Sequence, residues 1–413
     1  MAGLRSTWNP ITRPGTCMNV WVLPANTWKC AMLPEPKHRA VQELRHLLHQ
    51  NPELSGQERA TQALLREKVQ ALAPKRLISV GHTGLLATFV GKTPEGPKLL
   101  FRADTDALPI PESLSLDYGS QNPGVAHKCG HDGHTAALFG LAISLSEDPP
   151  ERGSYHLLFQ PAEETGAGAL KVLEDSNFDL DDLDGVYAFH NIPGQALGTV
   201  LCRPGTFAAA VISVAIELLG SSSHAGEPEM GANPLPALQE LLHLSQQWQQ
   251  PDPQQPDFAL LTPVHLRMGQ KAYGLRPGDA ELHLTLRTWQ EERLDKLRKD
   301  LQAVIDQSAT AHNLKHSATW LEHFPAVNNH PQAVAEIEKA AMRLGLNYSN
   351  LPSAFRWGED FGHFTQRYPG AMFGLGSGLD VPPLHDHYYD FPDALLPTAV
   401  KLFRQLINQA QGK

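Results

Sequence analysis

The chain has 413 residues, of which 41% are hydrophobic and 19% are charged, a composition typical of a globular protein with room for two or three domains. Lysine and arginine total 34 against 44 acidic residues, and no basic run follows a nucleic-acid backbone, which argues against a nucleic-acid partner. The 4 cysteines are too few for a disulfide framework, and no apolar stretch is long enough for a membrane span. We therefore expect a cytoplasmic protein without a membrane partner.

The first half of the chain alternates predicted helices with short apolar runs, which are typical of buried strands. Helices are predicted over about 36–50 and 58–72, and His38, His46 and His49 on the first helix are predicted to face solvent. A buried helix is predicted over 135–146. The predicted strands are 77–80, 85–90, 98–102, 155–160 and 186–189. This alternation predicts an α/β sheet.

The pattern changes near residue 206. The predicted order over 210–321 is strand, helix, strand, strand, helix, strand, which is the split βαβ arrangement. We therefore predict that 206–322 form a separate domain inserted between 36–205 and 323–413. The first part of the chain, 1–35, shows no sustained period and is assigned to an N-terminal extension. The α/β pattern resumes with a helix over 331–344, a strand over 371–375 and a helix over 394–409.

Several predicted strands end in side chains suited to metal binding or acid–base chemistry. Ligands of an open α/β sheet bind beyond the carboxyl ends of the strands, so these side chains should converge on one pocket. They are Asp104 and Asp106 after the third strand, Cys129, His131 and His134 before the buried helix, Glu163 and Glu164 after the fourth strand, His190 after the fifth, and His385 beyond the last. A thiol, imidazoles and carboxylates in one pocket predict a metal site.

The individual segments also allow simpler interpretations. Cys129 and His131 lie two residues apart, so both can face one ion, and a thiolate can bridge two divalent ions. A buried cysteine with capping histidines is the alternative for this segment alone. Glu163 and Glu164 point in different directions, so one carboxylate can bind metal while the other acts on water. The alternative here is a solvated acidic pair that opens a glycine-rich turn.

Motifs in the same order along the chain resemble one known family. They are RADTDALP (102–109), HKCGHDGHTA (127–136), FQPAEETGAGA (159–169), FHNIPG (189–194), SHAGEPEMGANP (223–234), WGEDFGHF (357–364) and LHDHYYDF (384–391). These motifs resemble the dinuclear metallo-amidohydrolases of the aminoacylase/carboxypeptidase metallopeptidase family, in the branch of aminoacylases, hippurate hydrolases and auxin-conjugate hydrolases. The resemblance implies an α/β fold, in which a three-layer catalytic domain like that of zinc exopeptidases carries an inserted ferredoxin-like α+β domain for lid movement and dimerisation.

The resemblance also implies a role for each residue at a motif position. Asp104 stands where other branches of the family have a histidine ligand, which puts it in doubt as a direct ligand. The implied roles are Cys129 as bridging ligand, Glu164 and His385 on one metal ion, His131 and His190 on the other, Glu163 as general base, Asp106 as a supporting carboxylate, and His224 as a group that holds the substrate carbonyl, in its own site or in that of a partner subunit.

The function implied is hydrolysis of the amide bond in N-acyl amino acids or related conjugates. The implied cofactors are two divalent ions, with Zn²⁺, Mn²⁺, Co²⁺ and Ni²⁺ as candidates, and the implied assembly is a homodimer or larger homo-oligomer through the inserted domain. The alternatives are a dipeptidase or carboxypeptidase-type exopeptidase and a non-catalytic metal-dependent binding protein. An intact Glu163 argues against the binding protein. Residues 1–33 precede the resemblance, and a genuine extension and a misassigned start both remain open.

Overall fold

The computed structural model describes residues 35–413, so the predicted N-terminal extension, with Cys17 and Cys30, lies outside the described residues. The fold is mixed α/β. The strands are β1 (Arg76–Val80), β2 (Gly84–Val90), β3 (Thr93–Asp104), β4 (Arg152–Gln160), β5 (Gly185–Pro193), β6 (Val200–Cys202), β7 (Gly205–Ala208), β8 (Ala210–Leu219), β9 (Ser223–His224), β10 (Ala259–Met268), β11 (Leu275–Arg276), β12 (Asp279–Thr288), β13 (Lys315–Phe324), β14 (Val327–Asn329), β15 (Tyr348–Asn350) and β16 (Gly370–Gly378).

Helices cover the faces of the sheets. Short 3₁₀ turns span Pro228–Met230 and Asp393–Leu395. No helix within residues 35–413 has both the length and the apolar character needed to cross a membrane. The α-helices are α1 (Glu35–Gln50), α2 (Arg59–Gln70), α3 (His131–Glu147), α4 (Gly168–Glu174), α5 (Leu235–Gln247), α6 (Glu291–Ala311), α7 (Pro331–Arg343), α8 (Gly362–Arg367) and α9 (Leu396–Ala410).

An eight-stranded sheet in the order β1-β2-β4-β3-β5-β16-β6-β15 forms the centre of the larger unit. β4, β3, β5 and β16 run parallel to their neighbours in this group, so their carboxyl ends lie at one edge of the sheet. These are the strands whose ends carry the predicted metal-site residues. Their interiors are almost continuously apolar, as expected for strands that are covered on both faces.

The buried helix α3 connects the sheet to the outer helices. Almost all of its residues are buried, because the sheet covers one side and α1 and α9 cover the other. Gly140 permits the close approach of α9, since a Cβ at this position would lie 2.6 Å from Cγ2 of Val400. The tight packing fixes the first turn of α3, which begins at His131.

A second, four-stranded antiparallel sheet in the order β10-β12-β8-β13 is packed against α5 and α6 around its own apolar core. Its connectivity is strand, helix, strand, strand, helix, strand, with the first and third strands in the middle, so it has the predicted ferredoxin-like topology. In sequence it lies between β6 and β15 of the large sheet. The short strands β7 and β14 pair where the chain passes between the two sheets. The domain limits 206 and 322 remain a prediction.

The structure departs from the sequence-based expectations in two respects. Short elements with no sustained pattern were not predicted, among them α4, α8, β6 and β15. The prediction that His49 faces solvent is wrong, since its side chain is fully buried and hydrogen-bonded to Asp132 and Glu112. His46 is half-buried and pairs with Asp393. The polar partners of these histidines come from distant segments. The helical spacing of α1 alone therefore cannot show that this face of the helix is buried.

Candidate metal centre

The predicted ligands meet at the carboxyl edge of the large sheet. Cys129 lies in the loop before α3, and His131 is the first residue of that helix. Glu164 follows β4, His190 lies within β5, and His385 lies in the loop after β16. Gly130, between the two ligands of the loop, has φ +97°, a left-handed conformation that glycine adopts without strain. This turn separates the directions of Cys129 and His131 while keeping both at the same edge.

Several groups of three side chains bring their ligand atoms within 4.8 Å of one another, and two of these groups share Cys129: Cys129 with His131 and His190, and Cys129 with Glu164 and His385. The Sγ atom of Cys129 lies 3.5 Å from Nε2 of His190. The Oε1 atom of Glu164 lies 3.8 Å from Nε2 of His131 and 3.7 Å from Nε2 of His385. Because both groups share Cys129, the geometry allows two neighbouring ions with one common thiolate.

The buried atoms of this site fit bound cations. Nε2 of His131 and Oε1 of Glu164 are buried and have no hydrogen-bond partner within residues 35–413. Burial raises the pKa of the Cys129 thiol well above its ordinary value, and burial and nearby carboxylates raise that of Glu164 to about 7. Burial and the His134 ring hold the pKa of His190 well below its ordinary value. Divalent ions would satisfy unpaired donors of this kind and favour the thiolate and carboxylate forms.

Asp106 connects the segments that carry the ligands through hydrogen bonds to Glu163, Glu164 and His131. Its carboxylate accepts hydrogen bonds from the backbone N–H groups of Glu163 and Glu164, at 3.1 and 3.0 Å, and from the hydroxyl of Ser55 at 2.7 Å. Its carbonyl oxygen lies 2.9 Å from Nδ1 of His131, which directs Nε2 of that ring into the site. The Nδ1 atom of His190 is held in the same way by the carbonyl of Asn191, at 2.9 Å. Such partners fix the orientation of ligand rings.

Asp104 is fully buried and already has two partners. Its carboxylate lies 2.6 Å from Nη1 of Arg102 and 2.6 Å from Nδ1 of His134. One of its oxygens lies 3.7 Å from Nε2 of His131, close enough to influence the site. These pairings support a role in orienting its neighbours, consistent with the doubt about Asp104 as a direct ligand.

Glu163 faces the open side of the site. Its Oε2 atom lies 3.8 Å from Nε2 of His131, and the side chain lines a cavity of about 390 Å³ together with Cys129, Glu164, His190 and His385. Burial and the negative charges of Glu359 and Glu164 raise the pKa of Glu163 well above its ordinary value. A carboxyl group in this position can exchange protons with molecules in the cavity.

The second sheet also contributes side chains to the lining of this cavity. Val211 and Ser213 come from β8, and Thr285 and Arg287 come from β12. Trp357 also lines the cavity, with its ring centroid 5.1 Å from that of His190, whereas Phe361 is fully buried in the core. A molecule bound at the metal ligands would therefore contact both sheets.

Arg287 is a functional candidate that the sequence analysis missed. Its Nη1 atom donates to the carbonyl of Arg356 at 2.9 Å, and no carboxylate within residues 35–413 forms an ion pair with it. Burial and the charge of Arg356 lower the pKa of Arg287. In the sequence it occupies an ordinary position on an alternating strand, so only the cavity reveals it. A half-buried guanidinium without an anion provides a binding site for a carboxylate.

His224 does not join the other predicted site residues. It lies in β9, is exposed, and pairs through its backbone with Leu275 of β11. Its Nδ1 atom accepts a hydrogen bond from the N–H of Gly226 at 3.0 Å. His224 is not among the residues that line the cavity around the metal ligands.

Comparisons with known proteins agree with this arrangement. The family model described as peptidase family M20/M25/M40 matches residues 100–409. Two proteins of Bacillus subtilis (strain 168) are similar to this chain. An N-acetyl-L-cysteine deacetylase is 35% identical over 351 residues, which cover 84% of this chain and 81% of that protein. An N-acetylcysteine deacetylase is 29% identical over 375 residues, which cover 89% of this chain and 96% of that protein.

A solved structure of a protein described as a member of the same family is also similar to this chain. The YXEP protein of Bacillus subtilis, described as a dinuclear metal binding peptidase from the M20 family, superposes with a TM-score of 0.75 at 28% identity, covering 90% of this chain and 97% of that one. The predicted family, fold class and enzyme class are thereby confirmed, and the chain belongs to peptidase family M20/M25/M40 as a metallo-amidohydrolase.

Proposed function

We propose that this enzyme hydrolyses the amide bond of N-acyl amino acids. The observation that carries the proposal is the cavity, which is lined both by Arg287 of the second sheet and by Glu163 with the metal-ligand candidates Cys129, Glu164, His190 and His385. Such a substrate has an amide carbonyl to be attacked and a free carboxylate to be held. Arg287 would bind the carboxylate, which places the amide on the side of Glu163.

The chemistry follows from these positions. Divalent ions bound by Cys129, His131, Glu164, His190 and His385 would polarise the amide carbonyl and lower the pKa of a bound water to about 7. Glu163 takes a proton from the attacking water and delivers it to the leaving amine nitrogen. Asp106 keeps Glu163 in place through the backbone N–H of that residue. Trp357 and Phe324 supply an apolar wall for the acyl group.

A panel of substrates tests the proposal. Purified enzyme supplied in turn with Zn²⁺, Mn²⁺, Co²⁺ or Ni²⁺ is given N-acetyl amino acids, the corresponding amino-acid carboxamides, and dipeptides with a free amine. We expect the N-acetyl amino acids to have the highest kcat/KM, and the most active ion identifies the metal preference. Preferential hydrolysis of dipeptides would support the exopeptidase alternative, and binding without turnover of any compound would support the non-catalytic one.

Replacement of Arg287 by methionine should weaken recognition of the substrate carboxylate. Loss of a hydrogen bond to a charged group costs about 1.5–3 kcal/mol, so kcat/KM should fall about 10- to 100-fold, mainly through KM. The preference for an N-acetyl amino acid over its carboxamide should fall by the same factor. Arg356→Met is the matched control, because Arg356 is exposed and does not line the cavity. Equal losses on both substrates would contradict the assignment.

We also propose a homodimer formed through the four-stranded sheet. Strand β10 is an edge strand of that sheet. Two apolar residues of this strand, Val264 and Leu266, are 59% and 52% exposed. An exposed apolar edge of this kind is a pairing surface. His224 would then act on the substrate carbonyl in the site of the partner subunit. The need for a reduced Cys129 thiol supports the cytoplasm as the compartment.

Mixed dimers test the shared site. His224→Ala should lower turnover about 10²–10³-fold with metal content intact, as expected for the loss of an oxyanion donor. Mixing His224→Ala with Glu163→Gln subunits, each nearly inactive alone, should restore partial activity, because one of the two sites then has both residues. Mixed dimers verified by mass that remain inactive would show that His224 acts within its own chain or has no role.

A further inference from the structure

A buried charged cluster lies directly behind the metal loop. It consists of Lys128, His49 and Arg45 together with Glu112, Asp132 and Asp390. His49, Asp132 and Asp390 have the spacing of a possible cation site, but Arg45 already pairs with both aspartates. The cluster is therefore an ion-pair network, and its relation to the site depends on Lys128, the residue immediately before Cys129.

Lys128 connects three separate segments. Its side chain is completely buried, and Nζ donates to the Oε1 atom of Glu112 and, at 2.8 Å, to the carbonyl of Tyr389. Its own carbonyl accepts the backbone N–H of His385 at 2.8 Å. A single residue therefore holds both ends of the 385–389 segment against the metal loop.

His385 needs this support because its own packing is weak. Its side chain is 49% exposed, and its backbone has φ +66°, a left-handed conformation that is unfavourable for a residue with a side chain. His131 and His190, by contrast, are buried, and backbone carbonyls fix their Nδ1 atoms. No hydrogen bond within residues 35–413 holds the His385 ring in this way.

The network favours the charged forms of Glu112 and His49. Burial alone would raise the pKa of Glu112, but hydrogen bonds from His49 and Lys128 lower it to about 2. Burial alone would lower the pKa of His49, but hydrogen bonds to Asp132 and Glu112 raise it to about 9. Glu112 is consequently an anion that accepts a hydrogen bond from Nζ of Lys128, and the same Nζ also reaches the carbonyl of Tyr389.

We infer that Lys128 is a positioning residue that fixes His385 against Cys129. The inference rests on the proposed metal ligands. The ion held by Cys129, Glu164 and His385 then depends on Lys128, whereas the ion held by Cys129, His131 and His190 does not. Residues that orient a metal ligand typically contribute 10- to 100-fold to metal affinity.

Metal titration without substrate tests the inference. Wild-type protein and Lys128→Met are stripped with a chelator and titrated with Mn²⁺ and Zn²⁺ by equilibrium dialysis with elemental analysis. We expect two ions per wild-type chain, and in the variant one ion bound about 10- to 100-fold more weakly with the other unchanged. His49→Gln is the control, because it disturbs the same network without touching the 385–389 segment, and both affinities should be preserved.

A double-mutant cycle provides the decisive comparison. In the His385→Ala background, the ion that Lys128 affects would keep only Cys129 and Glu164 as ligands, and Lys128→Met should not weaken its binding further, since the residue that Lys128 positions is gone. If Lys128→Met does not fold, Lys128→Met/Glu112→Gln removes both buried charges and is measured in its place. Equal weakening of both ions, no weakening, or an undiminished effect in the His385→Ala background would overturn the inference. Because no substrate is present, an error in the proposed substrate cannot produce any of these results.

Discussion

Replacing Glu163 by glutamine is expected to lower turnover strongly while leaving metal binding intact. Glutamine has the size of glutamate but cannot accept the proton of the attacking water or deliver it to the leaving amine. General acid–base catalysis of this kind contributes about 10²–10⁴-fold, so kcat should fall by that factor. The metal ligands remain, and the backbone N–H that Asp106 holds is unaffected. Elemental analysis and steady-state kinetics on the same preparation measure both quantities.

The neighbouring residue supplies the matched control. Glu164→Gln changes an adjacent carboxylate in the same way, yet this side chain belongs to the ligand group of Cys129 and His385. It should lose metal affinity, and excess metal should recover part of its activity. Glu163→Gln should show neither effect. A reversed pattern would exchange the two roles, which the geometry permits because both carboxylates lie 3.8 Å from Nε2 of His131.

The sequence predicted that these groups meet mainly because most of them lie in or just after a strand, whereas Cys129 and His131 come from the loop before α3 and from its first turn. Apolar runs identify β3, β4, β5 and β16, and parallel strands of one sheet bring their carboxyl ends to the same edge. Side chains within a few residues of those ends are then constrained to meet. His385 lies in the loop after β16, and it is the ligand that depends most on contacts with another segment.

Interactions between distant segments could not be predicted in this way. His49 has the spacing of a solvent-facing helical residue, but its partners Asp132 and Glu112 lie 83 and 63 residues away in the chain. Arg287 alternates on β12 like any half-exposed strand residue, and only the packing of the second sheet across the site places it in the cavity. The residue pattern of one segment does not show which other segment will pack against it.

Replacing Cys129 by serine should remove most of the bound metal. Cys129 is the only residue shared by the two ligand groups, so its loss weakens both ions at once. A serine hydroxyl remains protonated at neutral pH and is a poor bridge between divalent ions. Residues that only orient a ligand typically contribute 10- to 100-fold to metal affinity, so loss of the shared ligand should cost at least about 100-fold.

Cys202→Ser separates this effect from the general cost of introducing a hydroxyl into the core. Cys202 is also buried, but its Sγ contacts the carbonyl of Met372 at 3.5 Å, and it belongs to neither ligand group of the metal site. It should retain both ions even if its melting temperature falls. Elemental analysis after exhaustive dialysis gives the metal content of both variants. Two tightly held ions in Cys129→Ser would refute the bridging assignment, because the remaining ligands would then be sufficient without a shared thiolate.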